Sequence, residues 1–90
     1  MSTVETPAQS ADKPVGLSGE ATIFVVGELK EQLQQKLAAG AKVLSLAEIS
    51  AIDGAGAQLL LAARRSHPEL RFVDCPEPVR ERLALAGLDV

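Results

Sequence analysis

The residues that could take part in binding or chemistry are concentrated in one short segment, residues 53–56, which is Asp-Gly-Ala-Gly. A carboxylate directly before a helix can accept hydrogen bonds from the unpaired amides of the first turn, and the helix dipole favours a negative charge there. Two glycines around Ala55 let the backbone turn sharply and approach its neighbours closely. The segment predicts a tight turn that opens a helix, with Asp53 as the helix cap.

Catalysis and metal binding have little support in the sequence. Asp53 has no His, Cys or second carboxylate close to it in sequence that could share proton transfer, so we identify no catalytic residue. His67 is the single histidine and Cys75 the single cysteine. A zinc site with the usual ligands and an internal disulfide are both excluded. We expect no metal site, no cofactor and no enzymatic activity.

Phosphate binding is an alternative function for the same turn, because amides at a helix N-terminus can hold an anion. The dinucleotide fingerprint places its glycines directly after a strand, with a third glycine three residues later. Here the strand is expected to end at Leu46, a loop over residues 47–52 follows, and Leu59 occupies the third glycine position. No Gly-Lys-Ser or Gly-Lys-Thr of a phosphate loop is present. A small-ligand or nucleotide-binding domain stays as an alternative.

The chain before the turn predicts a strand, a helix and a second strand. Residues 15–24 contain β-branched and aromatic residues interrupted by glycines, which indicates one strand or a short hairpin. Residues 43–46 form the next strand, and apolar residues on both of its faces favour a central, parallel position. Between these strands, Gly40 ends a helix whose apolar residues recur at helical spacing. Those residues are Val26, Leu29, Leu33 and Leu37.

After the turn we expect a helix over residues 55–66, a strand over residues 70–74 and a third helix that ends at Gly87. The strand, helix and strand from Val43 onwards form a parallel unit. The predicted fold is α/β, a small open mixed sheet of about four strands with helices packed against it.

The chain divides into two parts by composition. Residues 1–13 are rich in Ser, Thr, Pro, Ala and Gln, and they bury too little apolar surface to offset the entropy lost on ordering. We expect a mobile N-terminal tail over residues 1–13. Residues 14–90 are expected to form one small domain.

Charge and hydropathy exclude several kinds of partner. Nine Lys plus Arg stand against twelve Asp plus Glu, and the net charge of -3 offers no footprint for nucleic acid or an anionic membrane. The longest wholly apolar stretch, residues 59–63, is far shorter than the roughly 20 residues that span a bilayer. The N-terminus also lacks the basic start and apolar core of a secretory signal. We expect a cytoplasmic protein without membrane insertion and without a nucleic-acid partner.

The helix after the turn has two different sides. On a helical wheel, residues 59–61, all leucine, lie on one side, and Ala55, Gln58, Ala62 and Arg65 lie on the opposite side. Small side chains on that side let a partner's backbone come close, while Gln58 and Arg65 supply a hydrogen-bonding group and a charge. The alternative is an ordinary solvated face, because alanine is also a good helix former.

The chain runs from an apolar strand through Ile52-Asp53 and Gly54-Ala55-Gly56 into an apolar helix. This pattern resembles the signature of STAS domains, the family of bacterial anti-sigma factor antagonists. The resemblance extends from Gly19 to about residue 88. It implies a non-enzymatic module of bacterial signal transduction that binds other proteins through this turn and helix. The implied partner-binding residues are Asp53, Gly54, Ala55, Gly56, Gln58, Ala62 and Arg65.

The resemblance also bears on regulation and partners. Family members are phosphorylated on a Ser or Thr at the position of Ala55, which has no hydroxyl, so switching by phosphate at that position is not expected here. Residues 53–65 look most like the short STAS proteins linked to chemotaxis operons. The family suggests three kinds of partner: a signalling kinase, an anti-sigma factor, or the transport ATPase of a phospholipid-transport ABC complex with this chain as accessory subunit.

Overall fold

Three helices and three strands alternate along the chain in the computed structural model, which describes residues 13–88. The expected tail lies outside the described residues except for Lys13. None of the helices described is long and apolar enough to cross a membrane. The elements are β1 (Val15–Ala21), α1 (Val26–Ala38), β2 (Val43–Ile52), α2 (Gly54–Ser66), β3 (Arg71–Val73) and α3 (Glu77–Leu85).

The three strands form one parallel sheet in the order β1-β2-β3, which confirms the central, parallel position expected for β2. Within residues 13–88 the sheet has three strands and no antiparallel pair, so the expected mixed sheet of about four strands is not what these residues form. The difference arises in the segment expected to be a strand or hairpin. The strand ends at Ala21, and Val25 N–H donates to the Thr22 carbonyl oxygen (3.0 Å) in a turn that leads into α1.

β2 is much longer than the sequence pattern indicates, because it continues to Ile52, and the loop expected over residues 47–52 is wrong. Its pairing with β1 shifts twice, and each time β2 contributes one residue more than β1. Such bulges break the alternation of buried and exposed side chains that identifies a strand. Here the exposed residues come in consecutive pairs, 47–48 and 50–51, around the buried Ile49.

One apolar core lies between the sheet and the helices. α2 contacts both α1 and α3, so it is the central helix of the layer. No polar side chain is buried in the described part of the chain, and the core is therefore held by apolar burial alone. Its fully buried large side chains are Leu17, Leu29, Leu44, Leu46, Leu60, Leu70 and Leu83.

The two outer helices end at the expected glycines. Gly40 has φ of +96° and Gly87 has φ of +94°, a conformation that side chains other than glycine rarely adopt. Beyond each glycine the next N–H donates to a carbonyl oxygen five residues back, from Ala41 to Lys36 and from Leu88 to Leu83. Both helix ends are therefore Schellman motifs, and each fixes the point at which the chain leaves its helix.

Candidate functional site

The carboxylate of Asp53 lies between β2 and α2 and joins two loops that are distant in sequence. Its Oδ1 accepts a hydrogen bond from Gly56 N–H (3.1 Å), which confirms the expected helix cap. Its Oδ2 accepts from Ile23 N–H (2.9 Å), in the segment between β1 and α1. The Asp53 N–H in turn donates to the carbonyl oxygen of Ala21 (3.1 Å). One residue therefore fixes the position of both loops at the carboxyl ends of β1 and β2.

These bonds also set the ionisation of Asp53. The N–H of Ile23 is the largest cause that lowers its pKa, followed by the N–H of Gly56, while partial desolvation opposes them. The Ala55 amide and the positive charge of Arg82 lower the pKa further. A lowered pKa in the folded chain stabilises the fold above the unfolded pKa, and this contribution is lost as pH falls through the folded pKa. Near neutral pH the group is a charged acceptor, which gives no support to a role as a general acid.

The second glycine of the turn is required by packing against β1. Gly56 is buried, and a Cβ placed on it would overlap the carbonyl oxygen of Ala21 and lie 2.7 Å from the Ala21 Cβ. A Cβ on Gly54 would meet nothing within 4 Å. The close approach expected from both glycines therefore belongs to Gly56 alone.

The exposed side of α2 matches the helical wheel. Gln58, Ala62 and Arg65 are exposed and Ala55 is half-buried, whereas Leu60 on the opposite side is fully buried. The structure thus places six of the seven sequence-predicted partner-binding residues on the exposed side, from the turn to the end of α2. Gly56 is the exception, because it is buried against β1 and cannot contact a partner. The arrangement can accept a partner's side chains, since it exposes small residues between a polar amide and a guanidinium.

Grooves flank α2 on both sides. The groove between α1 and α2 has a volume of about 230 Å³ and is lined by Leu37, Leu59 and Ala62, among others. Leu59 lines this groove and is half-buried, whereas its neighbours Leu60 and Leu61 are buried. The groove between α2 and α3 is smaller, about 140 Å³, and includes Gln58 and Leu85. Side chains of a partner could enter either groove.

Sequence reasoning missed three exposed apolar residues around the turn. The sequence pattern predicts one strand or a short hairpin that includes Ile23 and Phe24, but both lie in the segment between β1 and α1, and Phe24 is 90% exposed. Leu85 is 79% exposed on α3. A signal was available for Leu85, because it falls outside the helical spacing of the buried Val79 and Leu83.

Other reactive side chains do not form a second site. Cys75 is half-buried, and desolvation raises the pKa of its thiol. Among residues 13–88 there is no group of three or more His, Cys, Asp or Glu side chains that could hold a metal ion. Ser45 Oγ donates to Asp74 Oδ2 (3.2 Å), which links β2 to the end of β3.

Comparison with known protein families assigns the chain to one family. A family model described as "Mlab, STAS domain" matches residues 4–90, almost the whole chain. The chain belongs to the STAS domain family. STAS domains are in general interaction modules and not enzymes. No curated protein matches this STAS chain. The family match begins at residue 4, within the segment expected to be a tail.

The structure changes one argument about nucleotide binding by this STAS domain. β2 ends at Ile52, so the glycines come almost directly after the strand, and the argument from an intervening loop is wrong. Two sequence features still disfavour a nucleotide site: Leu59 occupies the third glycine position, and no phosphate-loop lysine is present. The Gly56 N–H is also already bonded to the Asp53 carboxylate. That negative charge would repel a phosphate at the same amides.

The contact between Gly56 and Ala21 gives a test of how the turn is built. We expect Gly56→Ala to lower the free energy of unfolding by about 3 kcal/mol, because the new methyl group forces α2 away from β1. Gly54→Ala is the matched control and should be neutral or stabilise the fold by up to about 1 kcal/mol. Urea unfolding measures both variants. Equal stability of the two variants would contradict the close packing at Gly56.

Proposed function

We propose that this STAS domain is a non-enzymatic regulatory module that docks onto another protein through the turn and the exposed side of α2. We call this surface the docking face. The observation that carries the proposal is the Asp53 carboxylate, which joins the turn to the segment after β1 and to the first turn of α2 through bonds of 2.9 and 3.1 Å. The docking face consists of Asp53, Gly54, Ala55, Gln58, Ala62 and Arg65, and the buried Gly56 holds α2 against β1 beneath it.

The rigidity of the docking face supports binding. Because Asp53 bonds fix the turn before any partner arrives, association costs less ordering of the backbone. The exposed positions at Gly54 and Ala62 carry almost no side chain, so a partner's backbone can approach closely. Gln58 lies between these two positions and Arg65 follows Ala62. Both are exposed and can supply hydrogen bonds and a charge. Small central residues with polar flanks are compatible with the layout of protein interfaces.

Three partner classes follow from the family resemblance: a signalling kinase linked to chemotaxis, an anti-sigma factor, and the ATPase of a phospholipid-transport ABC complex. The likeness of residues 53–65 to chemotaxis-linked STAS proteins supports the first class. Affinity purification of the full chain from its own cells, followed by mass spectrometry, distinguishes the three. A rise in Tm on addition of a nucleotide would instead support the small-ligand alternative.

A charge placed at Ala62 tests the docking face directly. We expect Ala62→Glu to weaken binding to the purified partner at least about tenfold, because a long charged side chain prevents close approach. The unfolding free energy should change by less than about 0.5 kcal/mol, since Ala62 is exposed. The matched control is Ala84→Glu, at an exposed alanine on α3 that does not line the groove between α2 and α3. Calorimetry that finds the same affinity for both variants would rule out the docking face.

We also propose that binding is not switched by phosphate at the turn. Ala55 occupies the position of the family's acceptor, and its methyl group cannot take a phosphoryl group. In relatives with Ser or Thr at this position, the added charge would lie close to the capping Asp53 and repel a closely packed partner. The nearest alternative, Ser50, is exposed on β2 and lies in a strand, which corrects its expected place in a loop.

A variant that restores the hydroxyl tests this proposal. Ala55→Ser should fold like the original chain, since serine is well tolerated at a helix start, and it should become a substrate for a kinase that phosphorylates related STAS proteins. The original chain treated in the same way is the control.

Mass spectrometry of protein recovered from cells should find Ser50 unmodified. Abundant phosphate on Ser50, with release of the partner by Ser50→Glu, would show that the switch has moved to β2.

A further inference from the structure

Large exposed apolar side chains in the described part of the chain are confined to the neighbourhood of the docking face. Ile23 is 60% exposed, Leu85 79% and Phe24 90%. Each costs free energy when left in water, and burial of such residues at the centre of an interface supplies much of its affinity. Their common location points to a partner with apolar side chains.

Bonds and packing fix these residues on two sides of the turn. The Ile23 N–H donates to Asp53 Oδ2 (2.9 Å), which fixes the backbone next to Phe24. Leu85 lines the groove of about 140 Å³ between α2 and α3, together with Gly54 and Gln58. Apolar anchors are thus present on both the α1 side and the α3 side of the docking face.

The charge of α2 is opposite to that of the whole chain. The whole chain has a net charge of -3, yet α2 contains no acidic residue and carries Arg64 and Arg65 near its end. Arg82 lies beside Leu85 in the same groove. The one carboxylate at the turn, that of Asp53, already accepts two N–H bonds. A complementary partner segment is therefore acidic.

The shape of the surface selects a helix over an extended peptide. The backbone of α2 is bonded within its helix and offers no strand edge, so a strand could not add to it. α2 has 13 residues, which correspond to about 20 Å, and Gln58, Ala62 and Arg65 follow one another at helical spacing over about 11 Å of that length. A helix of three to four turns laid beside them would come close over Ala62.

We infer that the docking face, extended by Ile23, Phe24 and Leu85, takes an acidic amphipathic helix of the partner protein. The apolar side of that helix covers Phe24 and Leu85, and its acidic residues lie near Arg65 and Arg82. This inference rests on the proposed function and specifies the chemistry of the partner.

Site-specific photo-crosslinking in the native cells tests the inference. Benzoylphenylalanine is placed at position 24, 58 or 85 of the full chain, and at Glu48 as an exposed control on β2. We expect the same protein to crosslink from the three surface positions and not from Glu48. The crosslinked segment, identified by mass spectrometry, should be an acidic amphipathic helix. A basic or extended segment would overturn the inference.

Affinity measurements with the identified partner separate this inference from the proposed function. Phe24→Ala and Leu85→Ala should each weaken binding at least about tenfold, with no change in Tm because both side chains are exposed. Arg65→Glu and Arg82→Glu, which reverse a charge, should weaken binding more than the two alanine variants do. Glu48→Ala, the control on β2, should leave the affinity unchanged. If Ala62→Glu abolishes binding but both anchor variants bind like the original chain, the docking face stands and the apolar anchors are refuted. Crosslinking from position 48 alone would refute both the docking face and the inferred acidic helix.

Discussion

The structure depends on one carboxylate that accepts two backbone N–H groups from separate parts of the chain. Asp53 bonds Gly56 within its own turn and Ile23 after β1. Without this carboxylate, the N–H groups of Gly56 and Ile23 would lack their hydrogen-bond partner, because no other acceptor bonds either of them within residues 13–88. Charge-assisted bonds of this kind are stronger than those between neutral groups, and the lowered pKa of Asp53 is consistent with that strength.

The same residue also explains why the turn can serve as a binding surface. Gly56 lets α2 lie directly against Ala21, and the Asp53 N–H donates to the same carbonyl group of Ala21. β1, β2 and α2 are thereby joined within a few ångströms, so exposed residues on two loops keep fixed relative positions. A rigid turn and the grooves beside α2 are what this STAS domain can offer to another protein.

Local features of the site could be predicted from sequence, and long-range ones could not. The bond from Asp53 to Gly56 spans three residues, and the glycine ends of α1 and α3 depend on conformations that glycine favours. The bond to Ile23 spans 30 residues and uses a backbone N–H, a group that every residue except proline has, so no residue type reveals it. The extent of β2 was hidden for a related reason, because its two bulges remove the alternation on which strand prediction rests.

The most direct test of the account is an NMR pH titration that follows the amide protons of Ile23 and Gly56 in the full chain. Both amides are predicted to report a single shared transition, with a midpoint below the ordinary pKa of aspartate, because both bond to the one carboxylate of Asp53. Asp53→Asn should abolish the transition at both positions. The account would be contradicted if only Gly56 titrated with Asp53, or if the shared midpoint lay at the ordinary value.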